Sequence, residues 1–183
     1  MNNYLFTFLL LVVCVSSCKK KPEDVVADVN KTTEKINKQL KDNTTKRVDD
    51  LSSPAMGSIT GYYRDAEVRK IYAEHFTDTN RVFDEYYFDD GMLIFVMEQN
   101  FKYNRPDTLT EEKAKANHDS VWYDDKKTKM EITRFYLNKN KLVKWILPGG
   151  KEVSPVSAEF IDKEPMLWAE AALLIKELKE EDN

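Results

Sequence analysis

Cysteine is nearly absent from this chain, and histidine and glycine are scarce. The 183 residues include two cysteines, two histidines and five glycines, and both cysteines lie within the first 18 positions. His75 and His118 stand far apart, which leaves a zinc or haem site without a clustered ligand set. No GxSxG, GxGxxG or P-loop pattern is present. We therefore expect no enzyme activity, no catalytic residues, no metal and no cofactor.

A strong charge of one sign is also missing. The chain has 28 Lys and Arg against 32 Asp and Glu, for a formal net charge of −4, and the two signs are interspersed. Nucleic-acid binding needs a basic face or stripe, so we expect no nucleic-acid partner. With 42% hydrophobic and 33% charged residues, the composition is typical of one globular domain with extensions. At this length a core forms without metals or disulfides.

The one long apolar run is too short to span a membrane. It extends from Tyr4 to Val15, about a dozen residues, whereas a spanning helix needs about 20. Its length and its small-residue end are typical of a signal peptide, although no Lys or Arg precedes it. A disulfide between Cys14 and Cys18 would be strained by their close spacing. A short uncleaved anchor and a secreted protein with a free Cys18 are the alternatives.

Val15-Ser16-Ser17-Cys18 resembles the lipobox of bacterial lipoproteins, in which an aliphatic and two small residues precede an obligatory cysteine. The resemblance implies that residues 1–17 are a signal peptide removed before Cys18. It also implies a diacylglyceryl group on the Cys18 thiol and fatty acyl chains such as palmitate on its new amine. Lys19-Lys20-Lys21 would then lie at the headgroups. We expect an outer-membrane lipoprotein of the cell envelope that faces the periplasm, with display on the cell surface as the alternative.

Between the cysteine and the domain we expect a tether over residues 18–57. Val25, Val29, Ile36 and Leu40 form a thin helical stripe, too sparse to bury much area, so the helix is predicted to be weak. A partner-binding helix is the alternative. Residues 42–58 are polar and contain Pro and Gly, which favours a linker. The folded domain is then residues 58–183.

An aromatic hairpin pattern recurs within the domain. Two aromatics, a spacer, Asp or Asn, a turn and an aliphatic strand occur at 86–95 and at 135–144. A third copy begins at Tyr62, aligns Tyr63 with Tyr87 and Tyr136, and lacks one turn residue. The pattern resembles the MORN-like aromatic-turn-leucine hairpin repeats of bacterial envelope proteins. The resemblance implies a scaffold architecture and no particular chemistry.

The fold predicted from these patterns is α+β. We expect an antiparallel meander of about six strands with a C-terminal helix packed on one face. That helix starts at Asp162 or Glu164, has Pro165 in its first turn, and buries a stripe from Leu167 to Leu178. The strands are predicted at 59–64, 67–76, 81–88, 92–101, 130–137 and 141–147, with a further short one at 151–153.

The insertion 105–129 contains a short polar helix, with Thr108 and Glu111 as a capping box. Asp107-Thr108-Leu109 and Asp119-Ser120-Val121 resemble the Asp-Ser/Thr-apolar O-glycosylation acceptor of some Gram-negative phyla, which makes Thr108 and Ser120 candidate sites. Thr108 cannot readily serve as both cap and acceptor.

Paired carboxylates such as Glu85 and Glu98 would need a cleft and a raised pKa to act in catalysis, so we expect both to be exposed sheet residues. The predicted function is therefore a membrane-anchored, non-enzymatic module that binds or scaffolds an envelope protein. The alternative is a carrier that holds an apolar or glycan ligand between the sheet and the C-terminal helix.

Overall fold

The computed structural model describes residues 20–49 and 57–180, and within them a seven-stranded antiparallel sheet has a helix on each face. The predicted α+β meander is confirmed, because every strand pairs with the next one along the chain. The predicted signal peptide and Cys18 lie outside the described residues. None of the described helices is long and apolar enough to cross a membrane. The elements are α1 Pro22–Gln39, β1 Thr44–Asp49, β2 Gly57–Arg64, β3 Glu67–Phe76, β4 Asn80–Asp89, β5 Met92–Lys102, α2 Glu111–Ala116, β6 Lys129–Asn138, β7 Lys141–Ile146 and α3 Ala158–Glu180.

Three two-residue turns lie together at one end of the sheet, which we call the turn end. Both residues of each turn have positive φ, a conformation whose twist matches that of the flanking strands. The turns are Asp65-Ala66, Asp90-Gly91 and Lys139-Asn140. No residue is missing from the first turn, so that part of the predicted repeat is wrong.

A break in strand register also precedes each of these turns. The breaks fall between Tyr62 and Tyr63, between Tyr87 and Phe88, and between Tyr136 and Leu137. Tyr62, and not Tyr63, is therefore the structural equivalent of Tyr87 and Tyr136. The hairpin repeat is real, but its first copy is displaced by one residue from the predicted alignment.

The larger core lies between the sheet and α3. Leu167, Ala171, Leu174 and Leu178 are buried there, as their helical spacing predicted. Gly61 takes the position that Tyr86 and Phe135 occupy in the other repeats. A Cβ on Gly61 would lie 2.8 Å from Leu178 Cδ1 and 2.8 Å from Tyr63 Cε2, so the missing side chain makes room for the helix.

Helix α3 begins earlier than predicted. It starts at Ala158 because Ser157 caps it: the Ser157 hydroxyl accepts from the Phe160 amide at 3.4 Å. Pro165 therefore lies inside the helix and not in its first turn. Its side chain is exposed on the surface of the helix. Further along, Trp168 Nε1 donates to the Asn140 carbonyl at 3.2 Å and ties the helix to the turn end.

Residues 22–49 are part of the folded domain, so the predicted tether is wrong over this range. Helix α1 packs across the other face of the sheet, where Val25, Val29 and Ile36 are buried against Tyr87, Phe95 and Tyr136. The thin apolar stripe suffices because the sheet supplies three aromatic side chains to cover it. The predicted linker contains edge strand β1 instead, which was missed because Val48 is its single buried side chain.

A polar network fixes the C-terminal half of α1 to the sheet. Lys70 Nζ lies 3.0 Å from Glu85 Oε2 and donates to Asn37 Oδ1 at 3.3 Å. The Tyr87 hydroxyl is placed to bond both Asn37 Oδ1, at 3.0 Å, and Glu85 Oε2, at 2.5 Å. Burial, followed by the hydrogen bond to Glu85, raises the pKa of Tyr87, so the phenol stays neutral. Buried polar groups with satisfied partners specify one geometry for the helix on the sheet.

Candidate functional site

The end of the sheet opposite the turn end is called the open end. Toward the open end, the two helices leave a different surface accessible on each face of the sheet. On the α3 face the gap is a cleft lined by His75, Asp84, Tyr86, Glu98, Glu170 and Glu177, with Leu173 and Leu174 beside them. We call it the acidic cleft, and its volume is about 300 Å³. On the α1 face the gap leaves aromatic rings partly exposed.

Asp84 lies at the floor of the acidic cleft, directly across from Glu98 on the neighbouring strand. Like charges placed opposite each other in a sheet are unfavourable. Burial first, and then the Glu98 and Glu170 carboxylates, raise the pKa of Asp84 from 3.8 to about 7, and Lys163 opposes the shift. Asp84 Oδ1 is buried without a hydrogen-bond partner, and Oδ2 lies 3.9 Å from His75 Nε2. The side chain is therefore protonated over much of the range below neutrality.

Helix α3 supplies the other wall of this cleft. Glu170 and Glu177 lie one heptad apart on the helix, and both line the cleft. Burial raises the pKa of Glu170, while Lys163 and a hydrogen bond donated by the Tyr86 hydroxyl oppose the rise. Lys163 Nζ lies 3.2 Å from Glu98 Oε1 and 4.9 Å from the centroid of the Phe135 ring. The cleft thus offers carboxyl groups that accept or donate hydrogen bonds to a polar ligand. Networks of charged side chains with a purely structural role also shift the pKa values of their members. A raised pKa in this cleft therefore does not by itself assign a reaction to it.

The pair Glu85 and Glu98 considered from sequence does not form. Glu85 points to the α1 face and Glu98 to the α3 face, because Glu85 is paired with Met97 while Asp84 is paired with Glu98. Neither is the exposed sheet residue that we expected: their side chains are 15% and 31% exposed. The carboxylates that share the cleft are Asp84 and Glu98, a pair one residue away from the one predicted.

The second surface is a band of rings on the α1 face, at the open end. Tyr72, Phe76, Phe83 and Phe101, which we call the aromatic surface, come from β3, β4 and β5. Phe83 lies at the centre, with ring centroids 5.8 Å from Tyr72, 6.3 Å from Phe76 and 5.3 Å from Phe101. None of the four rings belongs to either core cluster of the described residues. Phe76 is 37% exposed, and nearby Met130 is 54% exposed.

Arg81 packs against these rings. The Arg81 guanidinium carbon lies 4.8 Å from the Phe101 centroid and 6.0 Å from that of Phe83, and Arg81 Nε is buried without a hydrogen-bond partner. Arg134 lies on the same face of β6, across from Met97. Within residues 20–49 and 57–180, neither guanidinium has an ion pair. Cation–π contacts hold Arg81 in place but do not neutralise its charge.

The predicted glycosylation sites lie in the insertion, where Thr108 and Ser120 are both exposed. The cap of α2 is Thr110 and not Thr108, since Thr110 Oγ1 accepts from the Lys113 amide. The conflict between capping and modification at Thr108 is thereby removed. Ser120 follows Asp119, which forms an ion pair with Arg105.

Neither surface is among the sequence predictions, although the alternation of strand residues contains a signal for each. In β4 the even positions Asp84 and Tyr86 share one face, and the odd positions Arg81 and Phe83 share the other. Which face a helix covers could not be read from that alternation. In the described part of the chain, no group of three or more His, Cys, Asp or Glu residues is placed to hold a metal ion. No protein-family model, curated protein or solved structure matches the chain.

Proposed function

We propose that this chain is a lipid-anchored envelope protein whose domain binds a protein partner through the aromatic surface and performs no catalysis. The observation that carries the proposal is the cluster of four rings and Arg81 left outside both cores. Aromatic residues, Met and Arg are enriched in protein interfaces, and aromatic and Arg anchors dominate their energetics. Contiguous exposed apolar surface on a folded domain marks an interaction site.

The proposed anchor is Cys18, which precedes the first residue of α1 by four positions. Four residues span at most about 14 Å when fully extended. Because α1 packs on the sheet, a lipid on Cys18 would hold the whole domain next to the bilayer, without a long tether. Lys20 and Lys21 are exposed at this point, which supports contact with anionic headgroups. We propose the periplasmic side of the outer membrane, with the cell surface as the alternative.

This anchoring fits the position of the aromatic surface. The N-terminal part of α1 lies near the turn end, beside Asp89, Met92 and Asn138. Phe83 lies seven residues before the Asp90 turn, which corresponds to about 24 Å along an extended strand. The rings are therefore at the end of the sheet that is farther from the proposed lipid, where a partner has access.

Two measurements test this proposal. Mass spectrometry of the mature N-terminus should give a diacylglyceryl-modified and acylated Cys18, and an unmodified thiol there would refute the anchor. A photo-crosslinking amino acid placed at Phe76 or Met130 in living cells should capture a discrete protein. Val156, which is 85% exposed and lies between β7 and α3, is the matched control position. Equal capture from Val156, or no capture from either surface position, would refute partner binding through the rings.

The acidic cleft favours a second candidate function, a carrier for a polar ligand. Its carboxyl groups suit a hydroxyl-rich ligand such as a glycan better than an apolar one, because burying them against apolar groups would be costly. Titration calorimetry with neutral and amino-sugar oligosaccharides should then give heats that Glu170→Gln abolishes and Glu111→Gln in α2 leaves unchanged. Absence of binding by the intact chain would rule this candidate out.

A further inference from the structure

We propose that the partner segment bound by the aromatic surface is acidic, with carboxylates that pair with Arg81 and Arg134 while apolar side chains pack on the rings. This inference rests on the proposed function, since it names the chemistry of the partner for the same surface. The partner is thereby specified as negatively charged as well as apolar.

Positive charge without an acidic partner is left on this face of the sheet. The two acids that β3 and β4 place beside Phe83 on this face, Glu74 and Glu85, are already engaged: Arg47 lies 3.1 Å from Glu74, and Lys70 lies 3.0 Å from Glu85. Arg81 and Arg134 have no acidic partner among the described residues. The chain as a whole carries a formal charge of −4, so an uncompensated pair of arginines is a local departure from its average.

The Arg81 side chain is already held in one position. Its guanidinium is held over Phe101 at 4.8 Å, and its Nε is buried without a partner. An arginine already fixed against a ring loses little side-chain freedom when it binds a carboxylate. Excluding water at the rings strengthens such a charge-assisted hydrogen bond. Arg81 is thus preorganised to receive an anionic group.

Charge also argues against a second copy of the chain stacked ring to ring. A two-fold symmetric contact places the same patch on both sides of the interface. Such a contact through the aromatic surface would bring Arg81 and Arg134 of both copies together without an intervening acid. Juxtaposed like charges oppose that arrangement. An acidic segment of another protein meets the same surface with complementary charge.

The test uses the full chain purified in detergent and a fluorescein-labelled peptide in which Glu alternates with Phe and Leu. Fluorescence anisotropy should show saturable binding that weakens as salt is raised, because charge pairing is screened. Arg81→Gln and Arg134→Gln should each raise Kd by about fivefold or more. Arg69→Gln is the matched control: Arg69 pairs with Asp89 at 2.6 Å at the turn end, and its loss should leave Kd unchanged. Thermal unfolding of every variant establishes that each one folds.

Four outcomes would overturn the inference. The first is equal affinity for a peptide with Gln in place of Glu, and the second is an unchanged Kd in both arginine variants. The third is tighter binding of oligogalacturonate, an acidic oligosaccharide, than of the acidic peptide. The fourth is sedimentation that shows self-association of the chain through these rings. The proposed function fails separately. If crosslinks form from Phe76 while the acidic peptide does not bind, the surface binds a partner of other chemistry and only this inference is wrong.

Discussion

Protonation of Asp84 should make the domain more stable in mild acid than at slightly alkaline pH. The side chain is 15% exposed, and its pKa rises from 3.8 to about 7 because of burial and the facing carboxylates. The folded state therefore holds a proton that the unfolded chain releases at lower pH. For a carboxyl with a raised pKa, the associated stability is fully present below pH 4 and is lost as pH rises through 7.

The size of the effect follows from the two pKa values. For a single carboxyl with pKa 3.8 unfolded and about 7 folded, the free energy of unfolding falls by about 2.5 kcal/mol between pH 5 and pH 8. Other charged or ionisable side chains also line or face the cleft around Asp84, namely Glu98, Glu170, Lys163 and His75. The contribution of Asp84 to the pH dependence of the free energy of unfolding is the part that disappears in the Asp84→Asn variant.

Urea unfolding followed by tryptophan fluorescence at several pH values between 5 and 8 measures this contribution. The native chain should lose stability as pH rises, and Asp84→Asn should flatten the curve and be the more stable protein at pH 8. Asp90→Asn, in an exposed hairpin turn, is the matched control and should keep the native slope. If native and Asp84→Asn proteins give parallel curves, Asp84 is not protonated in the fold and the reasoning is wrong.

Three further predictions concern how the helices are held, and urea unfolding measures each of them. Lys70→Ala should cost about 3 kcal/mol, because it leaves Glu85 buried without its cation, and a Lys70→Met, Glu85→Leu double variant should recover most of that loss. Ile36→Ala should cost about 2–4 kcal/mol in the same cooperative transition, since Ile36 is only 4% exposed between α1 and the sheet; the same change in a tether helix would have no effect. Gly61→Val should cost about 1–3 kcal/mol through overpacking, and adding Leu178→Ala should relieve part of that cost. If the costs of the two substitutions simply add in the double variant, Gly61 and Leu178 are not in close contact.

The sheet was predictable because each strand carries its own signal. Strand β3 has the predicted bounds of 67–76, and β4 to β7 differ from prediction by about one residue at each end. Paired positive-φ turns, and the aromatic pairs that precede them at the ends of β2, β4 and β6, are local features that tertiary contacts need not override. Strand β1 lacks such a signal: Thr44 to Asp49 contains one apolar side chain, because an edge strand that few elements cover needs no more.

The candidate surfaces were less predictable, because each depends on which part of a sheet face a helix covers. The sequence contains Asp84 and Phe83 as neighbours, yet one lies in an acidic cleft and the other in a ring cluster on the opposite face. Alternation separates them, but only the crossing of α1 near the turn end leaves Phe83 uncovered. A burial pattern that depends on helix placement is a property of the packed domain and not of a local segment.

Reassigning α1 from tether to core changes what an anchor at Cys18 would do. A domain on a long flexible linker samples a wide volume, and its binding surface has no fixed height above the bilayer. Here the apolar contacts of Ile36 and the hydrogen bonds of Asn37 fix α1 to the sheet, and only three residues lie between α1 and Cys18. Under the proposed lipidation, the aromatic surface is therefore held at a nearly constant distance from the membrane. A partner that binds there must itself reach that layer, which favours a protein of the same membrane or one bound to its surface.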